Sequence, residues 1–356
     1  MPSGAVQPGD LVCVTGANGF LASHIIDQLL AAGFVVRGTV RNPDDPAKVD
    51  HLKAIAASHN AADRLSFAHA DLMQPGSFDD AMAGCHAVIH AAASVVFNHT
   101  DPQRGIVDPS VEGTRNVLES VRKAGSVRRV VHTSSMAAVY GWDKPADHIF
   151  TEADWNTAST LQNDPYGVAK LEGERAARAF VDALPEAQRF ELVHLNPGMV
   201  FGPPLIKTHA KASPRLIRDV ISRAQPGVPR LMLSVVDVRD AAAAHVAALQ
   251  HSSPPARCLI FAENAWMTDL MAELQGMFPD LRMGARAIPK PFVLLAALAD
   301  KTLNVRQLWH IVGRAMPMDN QLSRDAYQMV YRPVSQTLRD TATPMIEHGW
   351  ARVSKR

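Results

Sequence analysis

Residues 11–22 place the strongest single constraint on the fold of this chain. An apolar run, Leu11–Val14, passes through Gly16 and Gly19 into an apolar-periodic segment that begins at Phe20. An apolar run without polar alternation is typical of a parallel strand that is buried on both faces. Glycine has no Cβ, so a turn built on it lets a phosphate approach the backbone amides at the start of the next helix. The stretch therefore predicts a strand, a phosphate-binding turn and a helix.

The spacing of the small residues in this stretch is G-x-x-G-x-x-A, from Gly16 to Ala22. It differs from the G-x-G-x-x-G dinucleotide fingerprint in the position of the middle glycine. An ordinary strand–helix turn without any ligand would show the same glycines. Taken alone, the motif leaves a phosphate-binding turn and a purely structural turn both open.

Composition places the chain among ordinary globular proteins. Of its 356 residues 47% are hydrophobic, which is enough for one large domain or two smaller ones with buried cores. The formal net charge is +1 and the 36 Lys and Arg are spread along the chain, so we expect no nucleic-acid partner. The longest purely apolar run, residues 292–299, is too short to cross a bilayer, so we expect no membrane partner.

The cysteines and the N-terminal residues bear on the cellular compartment. Cys13, Cys85 and Cys258 lie in apolar or nearly apolar segments without the spacing of metal ligands, which predicts buried thiols in a reducing compartment. The first residues lack a basic region followed by an apolar run, so we expect no secretory signal. The predicted location is cytoplasmic.

Strand and helix patterns alternate along the first two hundred residues. Strands are predicted at 11–14, 34–40, 65–70, 86–93 and 128–133, with helices between them. This alternation predicts βαβ units with right-handed crossovers and a parallel sheet, outside whose carboxyl ends ligands bind. The predicted fold class is α/β, a Rossmann-type doubly wound parallel sheet with a smaller, mainly helical C-terminal substrate lobe.

The domain boundaries follow from the prolines and the later helical patterns. Prolines cluster between residues 197 and 229, which predicts irregular structure that leaves the sheet and returns to it near Leu231. Helical segments are predicted at 291–300 and 304–315. We assign residues 1–196 and 237–262 to the dinucleotide-binding domain, and residues 197–236 and 263–356 to the substrate-binding lobe.

The end of the second predicted strand bears on the choice of dinucleotide. An acidic residue there holds the ribose hydroxyls of NAD, whereas an arginine accommodates the 2′-phosphate of NADP. Residues 34–43 contain no Asp or Glu, but they contain Arg37 and Arg41. We assign the phosphate contact to Arg41, at the strand's end, with Lys48 as a second contact. Two solvated surface arginines are the alternative.

The ends of the third and fourth predicted strands suit the rest of a dinucleotide. Asp71 could accept a hydrogen bond from an adenine amino group. The small residues Ala91–Ala93 would let the nicotinamide half lie close to the backbone, although a close-packed strand end would have the same composition.

The fifth predicted strand ends in Thr133-Ser134-Ser135, so hydroxyl groups face the predicted cleft. Further along, Tyr166 and Lys170 open a helical pattern, and a spacing of four puts them on one helical face. A phenol normally titrates near pH 10, and an adjacent ammonium favours the phenolate. The pair therefore suits proton transfer, while a surface tyrosine beside a solvated lysine would show the same spacing.

Taken together and in order, these motifs resemble those of an extended short-chain dehydrogenase/reductase. The nearest branch is the group of dihydroflavonol 4-reductase, cinnamoyl-CoA reductase and aldehyde reductase, within the NAD-dependent epimerase/dehydratase superfamily. The similarity covers residues 10–262 and is carried by the segments 15–23, Arg41, Asp71-Leu72, 133–135, 166–170, 196–203 and 236–240.

The resemblance implies an NADP(H)-dependent oxidoreductase that reduces an aldehyde or ketone, with NAD(H) as the alternative cofactor and no metal. Ser135 would hydrogen-bond the substrate carbonyl, Tyr166 would deliver the proton, and Lys170 would assist Tyr166 and bind the nicotinamide ribose. The choice of Ser135 over Ser134 follows the family pattern. The implied protein is a monomer or a homodimer.

The cofactor contacts implied in this way cluster at the strand ends; they are Gly16, Asn18, Gly19, Phe20, Leu21, Arg41, Lys48, Asp71, Leu72, Ala91, Ala92, Ala93, Tyr166, Lys170, Pro197, Gly198, Val200 and Ser213. The implied substrate contacts are Ser94, Val95, Phe97, Tyr140, Met199 and Phe201.

The sequence also departs from the family pattern. Ser110 stands where many relatives have an asparagine that takes part in a proton relay, and Tyr140 and Trp142 would line a site in which plant flavonoid reductases have smaller or polar groups. A flavonoid substrate is therefore not implied. His245, on an Ala-rich helix, is interpreted as a structural histidine.

Three other functions stay open. A 3β-hydroxysteroid dehydrogenase suits the long C-terminal segment. A nucleotide-sugar epimerase is disfavoured by Arg41 without an acid, and a non-catalytic NADP-sensing protein by the Tyr166–Lys170 pair.

Overall fold

The computed structural model describes residues 5–93, 99–299 and 304–354. The predicted substrate contacts Ser94, Val95 and Phe97 lie outside the described residues. The strands are β1 Leu11–Thr15, β2 Val35–Val40, β3 Leu65–His69, β4 Ala87–His90, β5 Arg129–Thr133, β6 Glu191–Pro197, β7 Met199–Phe201, β8 Val228–Pro229, β9 Met232–Asp237, β10 Arg257–Ile260, β11 Glu263–Trp266 and β12 Ala287–Ile288.

The helices alternate with these strands in the first part of the chain and dominate the last. They are α1 Phe20–Ala31, α2 Pro46–Ser58, α3 Asp79–Met82, α4 Asp108–Ala124, α5 Pro165–Asp182, α6 Arg215–Ile221, α7 Val238–Gln250, α8 Met267–Met277, α9 Lys290–Ala299, α10 Val305–Ile311, α11 Gln321–Tyr327 and α12 Val334–Glu347. Among the described residues, no helix combines the length and the apolar character that a membrane span requires.

The central sheet has seven parallel strands in the order β10-β6-β5-β4-β1-β2-β3. Its order reverses beside β1, which lies between β2 and β4, so the crevice for a ligand opens at the carboxyl ends of these strands. The predicted doubly wound α/β fold is confirmed. Helices cover both faces of the sheet, which is why the middle strands are buried on both sides.

The core around β1 explains why the first residues fold as they do. Val12, Cys13 and Val14 are fully buried, and Ile25, Ile26, Leu29 and Leu30 of α1 pack against the sheet together with Phe34. These helical residues recur with the spacing that puts one apolar face toward the sheet. The three cysteines are buried and carry free thiols.

A smaller lobe has its own sheet and its own core. Strands β7, β9 and β11 form a three-stranded sheet, in which β9 pairs with β7 in parallel and with β11 antiparallel. Helices α6, α8 and α12 bury their apolar residues against it. The return near Leu231 was wrongly predicted to rejoin the main sheet: β9 instead starts at Met232 and joins this second sheet, and β7 and α6 lie within the segment predicted to be irregular.

Candidate active site

The turn after β1 packs tightly against the end of β4. Gly16 has φ +67°, and a Cβ built on it would lie 3.0 Å from the Cα of Ala92. A side chain at this position would therefore both strain the backbone and push the two strand ends apart. The turn is also fixed by Thr15, whose Oγ1 accepts a hydrogen bond of 3.0 Å from the Ala92 amide.

The N-terminus of α1 presents backbone amides that no capping side chain bonds among the described residues. Within the described residues no side chain caps this helix at Gly19, and its first turn contains no acid. Phe20 is buried, while Asn18 and Leu21 are partly exposed beside it. His209 Nε2 donates to the Asn18 carbonyl at 3.2 Å and fixes the turn from the side of the smaller lobe. Uncapped amides at a helix N-terminus suit a pyrophosphate.

Arg37 of β2 and Arg41, just beyond it, have different surroundings in the structure. Arg37 uses Nη1 to donate to the carbonyls of Ala81 at 3.1 Å and Ala83 at 2.8 Å, so it holds the end of α3. Arg41 is exposed just beyond β2, and His69 Nδ1 donates to its carbonyl at 2.8 Å. Lys48 lies half-buried in the first turn of α2. Arg41 thus remains the arginine that can contact a phosphate at this edge.

Asp71 and Leu72 follow β3 and sit beside α4. Asp71 Oδ1 accepts from the Met73 amide at 2.9 Å, so one carboxylate oxygen shapes the local turn. Leu72 packs against Gly113 of α4, and its carbonyl accepts a hydrogen bond of 2.8 Å from Asn116 Nδ2. Ala91–Ala93 lie beyond β4, which ends at His90 and is shorter than predicted. All these residues lie along one edge of the sheet.

Helix α5 carries the predicted proton-transfer pair. Lys170 Nζ lies 5.8 Å from the centre of the Tyr166 ring, so the two side chains share one helical face. The helix begins at Asp164, whose Oδ1 accepts from the Gly167 amide at 3.1 Å and whose Oδ2 accepts from Ser159 Oγ at 2.8 Å. Burial raises the pKa of Asp164 above its ordinary value. This buried cap fixes the turn of helix on which Tyr166 stands.

The two serines after β5 have different surroundings. Ser134 is buried, and its Oγ donates to Glu174 Oε2 at 2.7 Å. Ser135 is partly exposed, and its Oγ accepts from the Ala137 amide at 3.2 Å. Because Ser134 is committed to a buried carboxylate, Ser135 is the one of the two whose hydroxyl suits a substrate.

A small cavity of about 20 Å³ lies beside Lys170, with room for one water molecule. Ser110 of α4 lines it together with His90 and His132, which lie opposite each other on β4 and β5. Burial, and secondarily the charge of Lys170, lowers the pKa of His90 to about 3. Ser110 therefore lies near Lys170, and its Oγ donates to the Ala169 carbonyl at 3.2 Å.

Residues 197–213 close the site from the side of the smaller lobe. Gly198 permits the close approach of β9, because a Cβ there would lie 2.1 Å from the Ser234 carbonyl oxygen. Ser213 Oγ donates to the Val200 carbonyl at 2.5 Å, which ties the two residues together, and Pro197 ends β6 just before them.

The two predicted substrate contacts of β7 differ from each other. Met199 is half-buried at the surface of the second core. Phe201, by contrast, is fully buried among Ala210, Ile217 and their neighbours. Its prediction as a substrate contact is corrected: the side chain belongs to the core of the smaller lobe.

Tyr140 and Trp142 lie in the segment that precedes helix α5, and Trp142 contacts α10. Burial raises the pKa of Tyr140, and the charges of Asp164 and Tyr166 act in the same direction. Trp142 is buried and stacks on His310 of α10 with a centroid distance of 5.5 Å. Aromatic side chains thus form one wall near Tyr166.

Comparison with known proteins adds to this geometry. Residues 12–259 match the NAD dependent epimerase/dehydratase family. The chain belongs to this family. Within it, the chain is an extended short-chain dehydrogenase/reductase of the dihydroflavonol reductase, cinnamoyl-CoA reductase and aldehyde reductase group, so the resemblance predicted from the motifs is confirmed.

Two relatives and one solved structure illustrate the similarity. The chain is 37% identical to cinnamoyl-CoA reductase CAD2 of Medicago truncatula over 80% of this chain and 86% of that protein. It is 31% identical to the NADPH-dependent methylglyoxal reductase GRE2 of Saccharomyces cerevisiae, over 94% of this chain and 98% of that protein. The crystal structure of yeast methylglyoxal/isovaleraldehyde reductase Gre2 complexed with NADPH superposes with a TM-score of 0.78, at 29% identity, covering 95% of this chain and 99% of that one.

Sequence reasoning missed one buried residue of this extended reductase fold. Glu174 lies four residues beyond Lys170 and eight beyond Tyr166, so all three share a helical face, yet Glu174 is fully buried. An acid in line with a catalytic pair, on the face toward the sheet, is the signal that could have found it. His245 was correctly interpreted as structural: it is fully buried, and its Nε2 accepts from Thr133 Oγ1 at 2.9 Å.

Proposed function

We propose that this protein is an NADP(H)-dependent carbonyl reductase that reversibly converts an aldehyde or ketone with an apolar body into the alcohol. The proposal is carried by the contact of Lys170 with the Tyr166 ring on α5, together with the position of Ser135 directly after β5, at the carboxyl edge of the sheet that also holds the glycine turn. The names of GRE2 and of cinnamoyl-CoA reductase support carbonyl reduction as the general reaction.

The residues at the turn fit a dinucleotide phosphate. Gly16 makes room where a Cβ would collide with Ala92, and the amides at the start of α1 have no side-chain cap among the described residues. Arg41 would hold the 2′-phosphate, with Lys48 as a second contact, which favours NADP over NAD. When bound, the nicotinamide supplies the hydride that reduces the carbonyl carbon.

The side chains of α5 and of the β5 end supply the rest of the chemistry. Ser135 donates a hydrogen bond to the carbonyl oxygen and polarises it. Tyr166 gives its phenolic proton to the same oxygen as negative charge develops there, and the ammonium of Lys170 stabilises the phenolate that results. Tyr140 and the neighbouring aromatic wall would exclude water and contact the apolar body of the substrate.

The two hydrophobic cores suggest which lobe binds the cofactor and which binds the substrate. The core of the main sheet includes β1, α1, α7 and β10, while that of the second sheet includes β7, α6, α8 and α12. We assign residues 1–196 and 237–262 to cofactor binding, and residues 197–236 and 263–356 to substrate binding.

The proposal is tested by initial rates with NADPH and NADH against aliphatic, aromatic and steroidal carbonyls. We expect turnover that favours NADPH. Binding of either nucleotide without turnover of any carbonyl would contradict the reductase assignment and favour an epimerase or a sensor.

The role of Tyr166 has its own test. Tyr166→Phe should lower kcat by at least about 100-fold, because it removes a general acid, while the NADPH affinity, measured by fluorescence titration, stays unchanged. Tyr331→Phe is the matched control: the Tyr331 hydroxyl bonds Ser323 at 2.7 Å, outside the site. Turnover retained in Tyr166→Phe would show that another group delivers the proton.

A further inference from the structure

Glu174 is a buried carboxylate directly beneath the proposed active site. Its side chain is fully buried on α5, and two neutral donors reach the same oxygen: Ser134 Oγ at 2.7 Å and Asn196 Nδ2 at 2.9 Å. Arg257 of β10 forms an ion pair with the other carboxylate oxygen; its Nε is 2.7 Å from Glu174 Oε1. One acid therefore joins the catalytic helix to three strands of the central sheet.

The contacts of Glu174 lead to the backbone of Ser135. Asn196 Nδ2 donates to the Ser135 carbonyl at 3.0 Å as well as to Glu174, and the Ser134 amide donates to the Leu195 carbonyl at 2.8 Å. Arg257 Nη2 donates to the Ala138 carbonyl at 3.2 Å, on the turn that follows Ser135. The segment from Ser134 to Ala138 is thus held from both ends by groups that converge on Glu174.

The position of Glu174 on α5 links this network to Tyr166. Tyr166, Lys170 and Glu174 are spaced by four residues and project from one face of α5. Tyr166 and Lys170 reach the edge of the sheet, while Glu174 reaches beneath it. Fixing Glu174 to the Ser134–Ala138 segment therefore fixes the distance between the Ser135 and Tyr166 hydroxyls.

We propose that Glu174 is a positioning residue, which sets the separation of Ser135 and Tyr166 by tying helix α5 to the ends of β5 and β6. Because this inference rests on the proposed reductase function, its test includes a measurement that needs no turnover. The cost of a misplaced reacting group is large, since a displacement of about 1 Å can lower a rate by about 100-fold.

The matched control is an ion pair between strands β5 and β6, the two strands whose other ends Glu174 contacts through Ser134 and Asn196. Arg129 of β5 is fully buried, and its Nε donates to Glu191 Oε2 of β6 at 2.8 Å, at the amino ends of the strands, far from the site. Glu174→Gln and Glu191→Gln make the same chemical change, and each leaves a buried arginine without its carboxylate. Both should lose stability, so stability alone does not distinguish them.

The expected result separates the two variants by function. Glu174→Gln should lower kcat by about 10-fold or more with little change in NADPH affinity, whereas Glu191→Gln should keep kcat within about 2-fold. Amide hydrogen exchange, followed by mass spectrometry, should speed up in residues 134–138 of Glu174→Gln and not in those of Glu191→Gln. Equal kcat and equal exchange in the two variants would overturn the proposal.

A milder pair of variants covers the case in which Glu174→Gln does not fold. Ser134→Ala removes one hydrogen bond to Glu174 and leaves the ion pair with Arg257 in place. Ser120→Ala is its control, because Ser120 Oγ of α4 also donates to a carboxylate, Asp79 Oδ1 of α3, at 2.5 Å. Faster amide exchange at residues 134–138 in Ser134→Ala alone supports the proposal, and identical exchange in both variants refutes it.

The failure of this inference and the failure of the proposed function are distinguishable. A wild-type protein without any carbonyl turnover would refute the proposed function, while the exchange comparison still decides the role of Glu174.

Discussion

At the scale of single residues, the site predicts how the protein chooses between two nicotinamide cofactors. Arg41 stands exposed beyond β2, where a 2′-phosphate would lie. A charge-assisted hydrogen bond contributes about 1.5–3 kcal/mol, so Arg41→Ala should weaken NADPH binding by about 10-fold or more and leave NADH binding unchanged. Fluorescence titrations with both nucleotides measure this ratio. Arg37→Ala is the control, expected to lower stability through its lost carbonyl contacts without changing the ratio; an unchanged ratio in Arg41→Ala would refute the assignment.

The same residues show what sequence alone could and could not predict. The order of motifs predicted that Ser135 follows a strand of the parallel sheet and that Tyr166 and Lys170 share a helical face, because the carboxyl ends of parallel strands lie at one edge and residues four apart lie on one side of a helix. The sequence could not show that Arg37 is used by the carbonyls of α3, or that Phe201 belongs to a core. Each of these facts depends on neighbours that are distant in the chain, and no local pattern contains them.

At the scale of elements, helix α10 lies against the segment that leads to helix α5. Its His310 stacks on Trp142, and its Asn304 cap donates to the Gln162 carbonyl at 2.6 Å. An aromatic pair contributes about 0.5–1.5 kcal/mol, so His310→Ala should raise KM for a carbonyl substrate by about 2- to 10-fold through a loosened wall, with unchanged NADPH affinity. Steady-state kinetics measure the effect. Trp309→Ala, on the exposed side of the same helix, should leave KM unaltered; equal values for wild type and His310→Ala would argue against a substrate wall at α10.

The elements of the sheet were more predictable than those of the smaller lobe. Strands β1, β2, β3 and β5 and helices α1, α2 and α5 lie where the apolar periodicities predicted them. Strand β4 ends at His90, before the predicted end, and Ala92 beyond it packs against Gly16 and donates to Thr15 Oγ1. Strand β9 pairs with β7 and β11 in the second sheet, and the choice between joining one sheet or the other leaves no mark in a local pattern.

At the scale of the whole molecule, buried histidines should make the stability of this protein depend on pH. Burial lowers the pKa of His194, His209 and His245 to about 4, and it also lowers the pKa of His24, His90 and His132. These histidines lie in both lobes and along several strands, so the cost of protonating them is spread through the fold. In an unfolded chain a histidine titrates near pH 6.5.

The free energy of unfolding should therefore fall steeply as the pH drops from about 6.5 to 4. In this window the unfolded chain binds protons that the folded chain excludes, and each pKa unit of difference corresponds to about 1.4 kcal/mol per group. Burial raises the pKa of Asp164 and Asp240, so between that raised pKa and about pH 4, where an unfolded carboxyl titrates, the folded chain binds protons that the unfolded chain does not, which opposes this trend. Urea unfolding at pH 7.5, 6.5, 5.5 and 4.5 should give an uptake of on the order of three protons near pH 5.5. His245→Gln should reduce that uptake by about one proton whatever its effect at pH 7.5. A flat stability profile would show that water reaches these histidines in the folded protein.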